Sequence, residues 1–303
     1  MNQAESPKNF QVQARLKKIR TPNDKLTRTL FNLPENEFVD MILNGVGNSV
    51  TENPKSRNSK VKTKFWIEAV GTCEISEPLN EFDRAVFDVC ASTQLAGFDG
   101  VTVDTICRVM TGGKSHNTKI SFLQRSAVLA SVERMMSIRI TVDFSQACAK
   151  MKRYCEAGKK LVSTILPCKY VDGVTVCGQP NRAVIYFLDE SALVTIARVK
   201  QQLLTYDAEL LNVPNQNNTP LVAKLKSYLV RRVHEIKAHN MPPTITFADV
   251  FEKSGLVEPT RWQRQDARKT IVAVLGHLKA HGLIRDFELE KVSGVYRAVK
   301  FTY

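Results

Sequence analysis

No apolar run in this sequence is long enough to cross a membrane, and its polar start, MNQAESPKNFQVQARLKK, is not built like a signal peptide. Seven cysteines (Cys73, Cys90, Cys107, Cys148, Cys155, Cys168, Cys177) contain no C-x-x-C pair and no regular framework. They read as reduced thiols of a cytoplasmic protein, which leaves the sequon Asn217-Asn218-Thr219 without meaning. The five histidines include no H-x-H. His277 and His281 stand at i, i+4, but neither a nearby Cys nor the Glu of H-E-x-x-H accompanies them, so an ordinary helix surface is the expected reading. Carboxylates are scattered without a pair suited to acid–base work. Gly113-Lys114-Ser115 matches the end of a phosphate-binding loop, yet Arg108 stands where its first glycine is needed, and the segment follows a helix instead of a strand. No catalytic constellation, metal site or cofactor is expected, and the chain is not expected to be an enzyme.

Positive charge is abundant: 43 Lys and Arg against 30 Asp and Glu, a net +13. That balance favours an anionic partner, nucleic acid or an acidic membrane surface. Residues 219–303 hold 15 basic against 8 acidic residues, so +7 of the +13 lies there.

That terminal stretch is also the most regular. In PTRWQRQDARKTIVAVLGHLKAHGLI the residues Ala267, Ile271, Val274, Leu275 and Leu278 form one apolar stripe at helical spacing. Pro259 is expected to open this helix and Gly282 to stop it. Alternation then runs through Phe287, Leu289, Val295 and Phe301 around Ser293-Gly294, a hairpin. Upstream, 221–238 and 246–254 read as two further helices, the second capped by Thr246 or Thr244 and stopped by Gly255. Three helices and a hairpin make a winged helix. Arg261, Gln265, Arg268 and Lys269 face away from the apolar stripe, as does Trp262, and the hairpin carries Lys291, Arg297 and Lys300. The expected role of this unit is binding double-stranded DNA, with the third helix in a groove.

Before it, residues 1–62 read as a partly disordered extension with short helices at 10–19 and 35–43 and a polar loop at 45–62. Thr63–Ile75 reads as one strand. Helices follow at 80–94, at 103–110 with Thr102 as cap, and at 118–136, and then a strand at 138–144. Residues 145–157 look helical, three strand-like runs cover 161–188, and turns are expected at Asp172-Gly173 and at Gln179-Pro180-Asn181. Residues 63–190 are thus expected to form an elaborated winged helix, whose candidate DNA contacts are Lys114, Lys119, Gln124 and Arg125. Ser191 caps a bridging helix to Tyr206, and 212–220 is a loop, so 191–218 is the bridge and 219–303 the C-terminal domain. The fold class expected is α+β, two tandem winged helices joined by a helical linker.

LNEFDRAVFDVCAS, TKISFLQRSAVLASVERM running into IRITVDF, DAELLNVPNQNNTPLVAKLKSYLVRRV and RWQRQDARKTIVAVLGHLKAHGLI follow in the order and character of a known family. Over roughly 63–303 the chain resembles the winged-helix replication initiators of bacterial plasmids, which bind repeated origin sites (iterons). It departs in the insertion 145–182 within the first wing. The resemblance implies that the C-terminal domain reads bases, through the matching Arg261, Gln265, Arg268 and Lys269. It implies that the first domain contacts phosphates in a monomer or forms a homodimer. It also implies opening of an AT-rich segment and recruitment of a host replication initiator and the replicative helicase, with no cofactor. A winged-helix transcriptional autorepressor is the rival reading, and a tyrosine-dependent nicking initiator a more distant one.

Overall fold

A computed structural model describes residues 16–32, 63–67, 71–75, 79–112, 120–143, 160–176, 179–216, 219–256 and 258–303. The elements are, in order, β1 (Lys18–Pro22), α1 (Lys25–Asn32), β2 (Thr63–Ile67), β3 (Gly71–Ile75), α2 (Glu81–Leu95), β4 (Gly100–Thr102), α3 (Val103–Met110), α4 (Phe122–Ser137), β5 (Arg139–Asp143), β6 (Lys160–Thr164), β7 (Cys168–Val176), β8 (Gln179–Phe187), α5 (Ala192–Val199), β9 (Leu203–Asp207), a 3-10 turn (Ala208–Leu211), α6 (Pro220–Ala238), β10 (Thr244–Thr246), α7 (Phe247–Lys253), α8 (Arg261–Ala280), β11 (Asp286–Val292) and β12 (Val295–Thr302). The chain is α+β.

Two units repeat one topology. α6, β10, α7, α8, β11 and β12 give a three-stranded antiparallel sheet in the order β10-β12-β11. In the first unit α2, β4, α3 and α4 are followed later by β7 and β8, and the sheet order β4-β8-β7 is the same. The hairpin of this unit is therefore β7–β8, and the strand expected at 138–144 is not part of it. β5 and β6 intervene and join β2 and β3 in a separate sheet, β2-β3-β5-β6. The expected single strand at 63–75 is two strands, paired from Thr63↔Ile75 to Ile67↔Gly71. Asp172-Gly173 lies inside β7 at a register irregularity, and Gln179-Pro180-Asn181 lies in β8, with Gln179 opposite Val176. The expected helices at 35–43 and 145–157 fall outside the described residues, as does the loop at 45–62.

Local capping chemistry sets several helix starts. Asn80 accepts from the Phe82 and Asp83 amides while Asp83 accepts from the Asn80 amide, a reciprocal cap that opens α2. Ser121 and Gln124 do the same for α4, which starts at Phe122 and not at Thr118. Thr260 and Gln263 do it for α8, so Pro259 precedes the cap and is not the first helical residue.

The two units meet through their first helices, α2 and α6, at a charged core. From Glu81 to Thr93 every residue of α2 is buried, Glu81, Asp83, Arg84 and Asp88 among them. Arg231 of α6 bonds Glu81 at 2.5 Å and reaches Asp88 at 3.3 Å, and Arg84 holds Asp88 at 2.8 Å. Burial opposes the Arg231 charge, but the Glu81 and Asp88 carboxylates outweigh it and raise its pKa above the ordinary arginine value. The N-terminal stretch closes this cluster. The Thr21 hydroxyl bonds Asp88, Arg84 donates to Thr21 and to the Pro22 carbonyl, and the Arg20 amide donates to Ser92 Oγ at 2.8 Å. Part of the expected extension is thus core: Ile19, Leu26, Leu30 and Phe31 are at most 2% exposed. β1 pairs antiparallel with β9 from Lys18↔Asp207 to Pro22↔Leu203, so Lys18 and Ile19 are strand and not helix. The same pairing shortens the expected bridging helix, which ends at Val199; Ser191 is its cap as expected.

Candidate nucleic-acid interface

The apolar stripe of α8 does what its spacing predicts: Ala267, Ile271, Val274, Leu275 and Leu278 are at most 1% exposed. Burying that stripe turns the opposite side of the first two turns outward, where Arg261, Trp262, Gln263, Arg264, Asp266 and Lys269 are exposed and Gln265 and Arg268 half-buried. Gly282, at φ +70°, ends the helix, and Ser293-Gly294 (φ +50° and +78°) makes the two-residue turn between β11 and β12. The returning hairpin forms one wall of an open groove of about 730 Å³. The other wall is the start of α8. Arg261, Arg264, Gln265 and Arg268 line it opposite Gly294, Val295 and Tyr296, with Phe247 and Phe251 of α7 at its base. Among these lining residues there are three arginines and no carboxylate.

Fixed contacts aim these side chains. The Arg264 guanidinium donates to the Pro259 carbonyl at 2.8 Å. The Arg268 guanidinium carbon lies 4.4 Å from the Tyr296 ring centroid, and Lys291 Nζ approaches the same ring at 4.4 Å. Lys269, expected among the readers, stands outside the groove lining and pairs with Asp266 at 3.4 Å. Arg297 is exposed on β12. Arg264 and Tyr296 were missed in the sequence. Arg264 shares the Arg261–Gln265–Arg268 side of the helix and could have been found by helical spacing, whereas Tyr296 enters only through the register of the hairpin.

The first unit offers a different third helix. Gln124 is occupied by the α4 cap and lies beside an apolar pocket of Phe82, Met110, Val128 and Pro220. Arg125 is held by both oxygens of Asp104, at 2.7 and 3.2 Å, so its fork is spent inside the protein. At the positions after the cap where α8 has Arg261 and Trp262, α4 has Phe122 and Leu123, 79% and 75% exposed. Lys114 and Lys119 fall outside the described residues. Sequence reasoning treated both third helices as candidates. The structure brings together the α8 residues and the hairpin, while among the described residues Gln124 is engaged by the α4 cap and Arg125 by Asp104.

Cys90, Cys107 and Cys168 are buried free thiols, each raised by desolvation. His277 Nε2 lies 3.3 Å from the Glu209 carbonyl, and the His277 and His281 rings are 4.1 Å apart, on the side of α8 that meets the 3-10 turn. No helix among the described residues is long and apolar enough to cross a membrane.

No protein-family model matches the sequence, and no curated protein matches it. Two solved structures are similar to the chain. One is a crystal structure of selenomethionine derivatives of domains 2 and 3 of RctB, with a TM-score of 0.36 and 14% identity, covering 88% of this chain and 100% of that one. The other is a crystal structure of RctB domains 2–3, with a TM-score of 0.39 and 10% identity, covering 85% of this chain and 96% of that one.

Proposed function

We propose that this chain is a sequence-specific double-stranded DNA-binding protein that initiates plasmid replication at an origin with repeated sites, without catalysis of its own. The observation that carries DNA binding is the groove between α8 and the β11–β12 hairpin, with three arginines, Gln265 and no carboxylate in its lining. The helix–strand–helix–helix–hairpin order of residues 219–303 supports reading this unit as a winged helix with α8 in the major groove. Arginine can pair bidentately with guanine and glutamine with adenine. The first unit, whose third helix opens on exposed Phe122 and Leu123, is assigned the protein contacts: a host replication initiator, the replicative helicase or a second copy of this chain. The replication role rests on the family resemblance of 63–303.

The test is competition binding with the DNA flanking the gene against scrambled duplexes, with a footprint to locate the site. Arg268→Ala or Gln265→Ala should weaken the proper site by about 5- to 150-fold and leave scrambled DNA nearly unchanged. Arg297→Ala should weaken both and lower the salt slope by about one phosphate's worth. A footprint confined to a promoter, with no repeated origin site, would favour the autorepressor reading. A binding constant that barely moves between low and moderate salt would sink DNA binding altogether.

A further inference from the structure

Tyr296 stands at the tip of the hairpin, opposite Lys291 across the β11–β12 register, immediately after the irregularity between Glu290 and Lys291. Its ring is the meeting point of three elements. Arg268 comes from α8 and Lys291 from β11, each 4.4 Å from the ring centroid. Phe247 of α7 lies 6.3 Å away at 53°, and Phe251 lies 5.9 Å from Phe247, so the tyrosine ring is backed by an aromatic row. The phenol also takes a hydrogen bond from Lys291, which with the nearby charges of Lys291 and Arg268 draws its pKa below the ordinary tyrosine value. Each cation is attracted by the ring, and an arginine not held in this way would have to freeze its rotamers on meeting a base.

We infer that Tyr296 is a positioning residue, a cation–π clamp that holds Arg268 in its reading geometry and ties the hairpin to the recognition helix. The inference rests on the DNA-binding reading of the same groove. Tyr296 acts through Arg268: the held guanidinium binds guanine without first losing its freedom, and the hairpin and helix dock as one piece. The class of ligand it serves is a guanine-containing duplex step, and its effect is on specificity and not on general phosphate affinity.

Tyr296→Leu should lower affinity for the proper site about 3- to 30-fold and change affinity for scrambled duplex less than about 2-fold. Tyr296→Phe keeps the ring and should stay within about 2-fold of the wild type on the proper site. In an Arg268→Ala background, Tyr296→Leu should cost less than about 2-fold more, because its effect passes through the arginine. Losses that multiply in the double variant mean that Tyr296 meets DNA by itself, and the positioning role falls. A second readout needs no DNA. In the free protein the Arg268 and Lys291 side-chain methylene protons should be shifted upfield by the ring current, and Tyr296→Leu should return them to ordinary positions. Absence of that shift in the wild type overturns the clamp whatever the DNA result. Its presence in a protein that shows no sequence preference would instead overturn the proposed function and the specificity role together, leaving only a structural clamp.

Discussion

Replacing Arg231 by alanine should destabilise the folded protein by about 3–5 kcal/mol, a large fraction of the roughly 5–15 kcal/mol that holds a typical domain together. The side chain of Arg231 is 6% exposed, and its partners Glu81 and Asp88 are 1% and 2% exposed. Asp88 would keep Arg84 and Thr21. Glu81 would not fare as well: its Oε2 loses the arginine, and its Oε1 has no hydrogen-bond partner among the described residues. The loss is therefore dominated by one carboxylate stranded out of water, the case in which breaking a buried pair is most damaging. Burial already raises the Glu81 pKa in the intact protein against the pull of Arg231, and loss of the arginine raises it further, so the folded variant holds its proton at a pH where the unfolded chain has released it. Its ionisation then opposes folding as pH rises from the unfolded value towards the folded one. The defect should accordingly be smaller near pH 5 than near pH 8. The control replaces both partners, Glu81→Leu with Arg231→Met, and should recover most of the loss because an apolar pair needs no compensation. Urea unfolding followed by far-ultraviolet circular dichroism measures all of this through midpoint and slope. A loss below about 1 kcal/mol for Arg231→Ala at neutral pH, with an unchanged slope, would refute the reasoning: the cluster would then be wet, and the two units would not be joined through it.

Arg125→Ala should lower stability by about 1–3 kcal/mol, because it removes two guanidinium hydrogen bonds from the 2%-exposed Asp104, while leaving DNA affinity unchanged in the competition assay. Thr260→Ala removes the α8 cap and should cost about 1 kcal/mol in urea unfolding, with proper-site affinity falling alongside as the first turn frays. His234 stacks on Tyr206 with ring centroids 5.6 Å apart, its Nε2 is buried without a hydrogen-bond partner among the described residues, and desolvation, helped by Lys237, lowers its pKa below 6.5. A depressed histidine contributes stability that is present above the unfolded value and lost as pH falls. The urea midpoint should therefore fall between about pH 7.5 and about pH 5.5, and His234→Phe should reduce that fall. His277, lowered too, remains in the variant, so the dependence is reduced and not abolished.

What the sequence by itself determined was whatever is decided within a few residues. The α8 stripe follows from 3.6-residue periodicity, and all five of its residues are core. Thr102, Ser191 and Thr246 cap the helices that follow them, and Gly112, Gly255 and Gly282 stop helices at positive φ. Ser293-Gly294 makes its turn because the two-residue hairpin needs positive φ at both positions. Arg261, Gln265 and Arg268 were legible as one outward face for the same local reason. Only the tertiary structure decided which long-range partners each face would find. Local pattern put Lys18 and Ile19 at the end of a helix, and nothing within a few residues shows that 18–22 pairs with 203–207, or that Thr102 lies beside Val184. Charge is equally silent. Glu81, Asp83, Arg84 and Asp88 look like the solvated side of a helix until Arg231, Arg134 and Thr21 arrive from distant segments to compensate them. Arg125 and Arg268 are alike in sequence terms, each in the early turns of a third helix. Asp104 on a neighbouring helix spends the first, and Tyr296 on a hairpin holds the second at the groove, because a side chain's free energy depends on the neighbour that folding delivers to it.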